Sequence, residues 1–168
     1  MKSRYVLASA LLPALLTLPA AAHDIVRRSD ATLPIATSVQ VPAGADWVFV
    51  SSTLAEAHSD LAPPGSPAGL GDTAAQARSV LGQIAAELEE QGFAMHDVVK
   101  LGVFLVGDPN KGGTADYAGL MSAYLEHFGQ AEGGLPARTT VEVAGLPVPG
   151  ALVAIEAVAA RSGDHRHE

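Results

Sequence analysis

Hydrophobic positions along this chain fall into five strand-like runs and two stretches with helical spacing. Strands are predicted where short runs of β-branched and aromatic residues are bounded by glycine or proline. These runs are 35–41, 47–50, 98–106, 138–144 and 151–160. In two other segments, 72–91 and 116–128, apolar residues recur every three or four positions. That spacing is typical of a helix that buries one face.

Both helices carry recognisable start and stop signals. Thr73 and Gln76 have the spacing of a capping box, and Gly92 supplies a stop. The apolar face of the first helix comprises Ala77, Val80, Leu81, Ile84 and Leu88, and that of the second comprises Tyr117, Leu120, Met121, Tyr124 and Phe128. The order β-β-α-β-α-β-β predicts an α+β, two-layer domain with both helices on one face of a mixed sheet.

The first residues are typical of a secretory signal peptide. Lys2 and Arg4 precede an apolar run, and a small-residue cleavage site ends at Ala22. We therefore expect a signal peptide at 1–22, a polar lead-in at 23–34, one domain at 35–161 and a flexible tail at 162–168. Within the domain, 54–71 is rich in Pro, Gly, Ala and Ser and is predicted to be a loop. The expected location is periplasmic or secreted, without membrane attachment after cleavage.

Charge and composition exclude several functional classes. Removing the predicted signal peptide, with Lys2 and Arg4, takes the formal net charge from −8 to −10. We therefore expect no nucleic-acid partner, because phosphate binding needs clustered basic residues. The absence of cysteine excludes thiol catalysis and thiolate metal sites. The six histidines show no strong ligand spacing, and no metal or other cofactor is expected.

Two ionisable residues in the last two predicted strands carry the candidate chemistry. Arg138 opens one strand and Glu156 lies inside the apolar run of the other. A carboxylate in such a run requires a partner if it is buried. The two residues could form a structural ion pair. Alternatively, Arg138 binds a small carboxylate and Glu156 handles a proton beside it.

Short motifs in this order resemble the RidA family of reactive-intermediate deaminases, also called YjgF-like or L-PSP proteins. They are WVFVS at 47–51, TAAQ at 73–76, DVVK at 97–100, PARTTV at 136–141, LP at 146–147 and IEA at 155–157. The resemblance covers roughly 35–160. It implies a chorismate-mutase-like fold, a homotrimer with clefts between subunits, and cofactor-free hydrolysis of 2-enamine and 2-imine acids to 2-keto acids and ammonia.

The resemblance also implies roles for individual residues. Arg138 stands where the family's arginine binds the substrate carboxylate, and Glu156 where a glutamate helps position the attacking water. Beside these two residues, Ser51 is the second expected catalytic residue, as a hydrogen-bonding group for a substrate oxygen; alternatively, Ser51 only ends a strand. Three further residues are expected to line the substrate pocket: Ser38, at a tyrosine position of the deaminating members, Met121, at an asparagine position, and Thr140, at a thiol position.

Three functions remain open at this point. The first is imine deamination, and the second is a trimer that binds small carboxylates without catalysis. The second follows from the altered pocket positions, Ser38 and Met121 among them. A ribonuclease role, claimed for some relatives, is disfavoured by the acidic net charge.

Overall fold

The computed structural model describes residues 24–30, 32–57, 69–129 and 134–163. In chain order the elements are β1 (Val26–Ser29), β2 (Ala36–Gln40), β3 (Asp46–Leu54), α1 (Thr73–Glu90), β4 (Val98–Leu105), α2 (Tyr117–Phe128), β5 (Ala137–Glu142) and β6 (Val153–Arg161), with short 3-10 turns at Met95–Asp97 and Pro109–Lys111. The predicted signal peptide, the loop residues 58–68 and the tail beyond 163 lie outside the described residues.

The strands form one mixed sheet in the order β1-β2-β5-β4-β6-β3. The strand β5 is parallel to β4 and β2, whereas β6 is antiparallel to β4 and β3. With two helices packed on it, this sheet confirms the predicted α+β class. The strand β1 was not predicted, because its sequence, Val-Arg-Arg-Ser, is mostly polar.

One arginine attaches β1 to the rest of the domain. Arg27 donates hydrogen bonds to three backbone carbonyls, those of Val98 (2.7 Å), His96 (2.9 Å) and Leu135 (3.1 Å). The segment expected to be a polar lead-in therefore contributes a strand to the sheet.

The hydrophobic core lies between the helices and one face of the sheet. Alternate residues of β6, from Val153 to Ala159, belong to this core and pair with the core residues of β4. The predicted apolar face of α1 is fully buried. On α2 the prediction holds for Leu120, Tyr124 and Phe128, but Tyr117 is 48% exposed because it lies in the first turn of the helix.

The other face of the sheet has no helix against it in the described part of the chain. This face, which we call the open face, carries Phe49, Lys100, Phe104, Val141 and Glu156. The segment 47–50 was interpreted as a buried strand, and in a single chain that interpretation is wrong for two of its residues. Val48 and Val50 pack against the core, but Trp47 and Phe49 lie on the uncovered open face and are 48% and 75% exposed. No helix among the described residues is long and apolar enough to cross a membrane.

The start of α1 also differs from the prediction. Asp72, not Thr73, is the N-cap, and its carboxylate accepts a hydrogen bond from the backbone N–H of Ala75 (2.8 Å). Gln76 does not complete a capping box. Its buried amide instead donates to the carbonyls of Gly71 (3.1 Å) and Gly150 (3.0 Å).

Candidate functional site

Arg138 lies on the helix side of β5 and contacts α2. Its Nη1 donates to the thioether sulfur of Met121 at 3.1 Å, and its guanidinium carbon lies 4.5 Å from the centre of the Tyr124 ring. Among the described residues, no carboxylate forms an ion pair with Arg138. The guanidinium is half-buried, so its positive charge is held in place by neutral groups.

Burial shifts the pKa of both groups in this contact. Desolvation lowers the pKa of Arg138, an effect that Tyr124 partly opposes, although a guanidinium remains charged at neutral pH. Desolvation also raises the pKa of Tyr124 to about 12, so the phenol stays protonated. The hydroxyl oxygens of Tyr124 and Thr140 are buried and lack a hydrogen-bond partner among the described residues.

Glu156 lies on the open face and is exposed in a single chain. Gly102 of β4 is its register partner, and a Cβ atom added at Gly102 would lie 2.5 Å from Oε1 of Glu156. The carboxylate side chain therefore occupies the space that the missing side chain of Gly102 leaves. Ser51 lies close by, since Ser51 and Glu156 both line a cavity of about 250 Å³.

The guanidinium and the carboxylate lie on opposite faces of the sheet. Glu156 and Thr139 both pair with Gly102, so these three residues share the open face. Arg138 is adjacent to Thr139 on β5 and must point to the other side. Within one chain, the structural ion pair considered above is therefore excluded, and one small ligand could not contact both groups.

The six predicted site residues fall into two groups and one outlier. Met121 and Thr140 lie on the Arg138 side, the latter two residues further along the same face of β5. Ser51 lies with Glu156. Ser38 is exposed on β2, where it pairs with Arg28 of β1. No cluster of His, Cys, Asp or Glu within the described ranges could hold a metal ion.

Two residues of the site were missed by sequence reasoning. Gly102 interrupts a mostly apolar strand, and an isolated glycine there indicates a close approach by another group. Tyr124 follows Met121 by three residues on α2, a spacing that places both on the same face of the helix. Tyr124 was predicted only as part of the apolar face of this helix; it is buried, and its ring also contacts Arg138.

Comparison with known proteins identifies the family of this chain. The sequence model of the family described as Endoribonuclease L-PSP matches residues 28–161. A RutC family protein from Pyrococcus horikoshii is 32% identical over 136 residues, which cover 81% of this chain and 96% of that protein. The chain therefore belongs to the L-PSP family, also known as the RidA or YjgF family, and has its chorismate-mutase-like fold.

More specific relatives share part of the chain. The 2-iminobutanoate/2-iminopropanoate deaminase of Escherichia coli is 40% identical over 90 residues, which cover 54% of this chain and 65% of that enzyme. The crystal structure of E. coli TdcF with bound serine aligns with a TM-score of 0.53 at 30% identity, over 73% of this chain and 85% of that one.

Proposed function

We propose that this protein hydrolyses 2-imino and 2-enamino acids to 2-keto acids and ammonia, at sites formed between copies of the chain. The observation that carries the proposal is the guanidinium of Arg138, which is half-buried and charged and has no acidic partner in the described segments. Such a group is suited to bind a carboxylate through paired hydrogen bonds. The partial identity to an imino-acid deaminase supports the same substrate class.

The reaction places modest demands on the protein. Water adds to C2 of the protonated imine and gives a tetrahedral carbinolamine, after which the C–N bond breaks and ammonia leaves. An enamine substrate first takes a proton from solvent at C3 and becomes the imine. In the proposed mechanism, Glu156 accepts a proton from the attacking water and returns it to the departing nitrogen; it then takes the carbinol hydroxyl proton as the C–N bond breaks and passes it to the released ammonia. Ser51 hydrogen-bonds a substrate oxygen. Orientation of the substrate by Arg138 supplies the remaining rate enhancement. Met121, Thr140 and Ser38 are proposed to line the substrate pocket.

A site between copies follows from the position of the two charged groups. Because Arg138 and Glu156 face opposite sides of the sheet, a substrate that contacts both requires Arg138 from one chain and Glu156 from another. The open face supports such an assembly. Trp47 and Phe49 stack on it with ring centres 6.3 Å apart, and both are strongly exposed. Exposed aromatic clusters of this kind mark protein interfaces, and we propose a homotrimer.

The proposed location is outside the cytoplasm. The basis is the signal-like sequence at 1–22, with Lys2 and Arg4 before the apolar run and small residues up to Ala22. Edman sequencing of protein secreted or exported by the native host would show His23 as the first residue if this proposal holds. A retained Met1 would contradict it.

The activity is tested with 2-iminobutanoate, freshly generated from an amino acid in the assay. Keto-acid release should exceed the rate in buffer, and Arg138→Ala should lower kcat/KM on the order of 100-fold, because the substrate carboxylate loses its charged partner. Arg78→Ala is the matched control. Arg78 is paired with Glu126 at 2.7 Å on the exposed helix layer and should be dispensable.

The outcomes separate the candidate functions. A wild-type protein that never accelerates the hydrolysis would contradict deaminase activity. Small keto acids could still raise the melting temperature of the wild type but not of Arg138→Ala. That result would support the alternative function, a carboxylate-binding trimer without catalysis.

A further inference from the structure

Arg138 differs from a typical surface arginine in the groups that contact its guanidinium. The guanidinium of Arg78 is neutralised by Glu126 at 2.7 Å. The Arg138 guanidinium instead lies over the Tyr124 ring at 4.5 Å and donates one N–H to the sulfur of Met121 at 3.1 Å. Both partners are uncharged, so they restrict the arginine side chain without cancelling its charge.

The two partners constrain different motions. An aromatic ring under the guanidinium favours a parallel or offset arrangement and covers one face of the plane. The sulfur of Met121 contacts one terminal nitrogen and fixes rotation within the plane. Because Met121 and Tyr124 lie three residues apart on α2, the helix presents them as one unit.

We propose that Tyr124 and Met121 are positioning residues that orient the guanidinium of Arg138 before a ligand binds. The inference rests on the proposed function in one respect, namely that Arg138 anchors the substrate carboxylate. In Tyr124, the aromatic ring is the part of the side chain that orients the guanidinium of Arg138. Its hydroxyl is buried without a hydrogen-bond partner among the described residues, and its removal should not weaken the contact.

The direct test measures the mobility of the Arg138 side chain by NMR of its Nε–Hε group in the ligand-free protein. Tyr124→Leu removes the ring and should raise the amplitude of this motion, whereas Tyr124→Phe keeps the ring and should preserve the wild-type order. Met121→Leu keeps the volume, loses the sulfur and should give an intermediate result. This readout does not depend on catalysis, so it can succeed even if deaminase activity is absent.

The second readout is the affinity for pyruvate, which serves as the probe. The KM for 2-iminobutanoate is measured alongside it. Tyr124→Leu should weaken binding roughly tenfold and raise KM more than it lowers kcat. Tyr124→Phe should bind within about twofold of the wild type, since a preserved ring preserves the orientation. Met121→Leu should weaken binding about two- to threefold.

A matched control comes from a second arginine above a ring. Arg161 lies 4.7 Å from the centre of the Phe93 ring, outside the proposed site. Phe93→Leu should therefore lower the melting temperature without changing pyruvate affinity or the NMR signal of Arg138.

Two results would overturn the proposal. In the first, Tyr124→Leu lowers the melting temperature but leaves the mobility of Arg138 unchanged, so that Tyr124 only packs. In the second, Tyr124→Phe behaves like Tyr124→Leu, which assigns the effect to the hydroxyl. If Tyr124→Leu does not fold, the half-buried Met121 carries the test, and an unchanged Arg138 signal in Met121→Leu would overturn the inference.

Discussion

At the scale of single residues, the site depends on what lies beside each charged group. Arg138 keeps its charge available because its neighbours are a thioether and an aromatic ring. Glu156 has its place on the open face because Gly102 has no side chain there. In both cases the supporting residues are neutral: Met121 and Tyr124 contact the guanidinium through a sulfur and a ring, and Gly102 leaves space for the carboxylate.

The role of Gly102 leads to a prediction about activity without a large change in stability. A methyl group at this position would lie within 3 Å of three atoms of the Glu156 side chain. Since that side chain is exposed, it can move aside, and Gly102→Ala should change the free energy of unfolding by less than about 1 kcal/mol. The displaced carboxylate should lower kcat roughly tenfold or more, measured as keto-acid release.

Gly82 provides the control for this substitution. It lies within α1, and a Cβ atom added there would meet nothing within 4 Å. Gly82→Ala should therefore stabilise the helix by about 1 kcal/mol and leave kcat unchanged. If Gly102→Ala retained full activity, the close approach of Glu156 to Gly102 would have no bearing on catalysis.

At the scale of elements, a buried glutamine joins the start of α1 to the loop before β6. Gln76 is fully buried, and its amide donates to the carbonyls of Gly71 and Gly150 while its carbonyl oxygen accepts from the N–H of Leu152 at 2.8 Å. Three backbone groups from two segments thus depend on one side chain. This junction fixes where β6, and with it Glu156, enters the sheet.

Loss of this junction should be costly. Gln76→Leu fits a similar volume but leaves two carbonyls and one N–H unpaired, so the free energy of unfolding should fall by about 3 kcal/mol. Urea denaturation followed by circular dichroism measures this change. Gln91→Leu, at the exposed C-cap of α1, should have a small effect. Equal losses in the two variants would show that the buried hydrogen bonds of Gln76 contribute little.

At the scale of the whole molecule, the proposed site is complete only in an assembly. One chain presents Arg138 on the helix side of the sheet and Glu156 on the open face. Covering the open face with another chain would remove the exposed apolar side chain of Phe49 from water, which favours assembly. Assembly and catalysis are therefore expected to be coupled.

Mixing two impaired variants tests this arrangement. Arg138→Ala and Glu156→Gln should each lose most of the activity when refolded alone. When the two chains are unfolded and refolded together, about a quarter of the sites should combine an intact Arg138 with an intact Glu156 from another chain. Keto-acid release should return in the mixture. If both residues acted from the same chain, no mixture could regain activity.

The interface itself is tested by charge. Phe49→Glu places a carboxylate in the exposed aromatic cluster and should convert the proposed trimer into monomers, with loss of activity, because burial of an unpaired charge is costly. Light scattering after gel filtration measures the mass. Leu125→Glu changes an exposed apolar residue on the helix layer and should leave the trimer intact. A Phe49→Glu protein of unchanged mass would contradict an interface at the open face.

Much of the fold could be predicted from the sequence, because local patterns determine local structure. The spacing of apolar residues identified both helices within one residue at each end, and five of the six strands were located, although β3 extends four residues beyond its predicted end, to Leu54. The strand β1 was missed because its polar residues show no alternation; its place depends on Arg27 and on pairing with β2. The predicted capping box is absent because Asp72 is the N-cap and the Gln76 side chain bonds backbone groups that include Gly150 and Leu152, distant in sequence.

The sequence by itself determined the family, the order of elements and the two candidate charged residues of the last strands, Arg138 and Glu156, since these depend on residue type and spacing. Only the tertiary structure decided that Arg138 and Glu156 face opposite sides of the sheet and that Tyr124 and Met121 hold the guanidinium. The physical reason is that the register between strands decides which side chains of different strands share a face of the sheet. That register is set by packing between segments far apart in the chain.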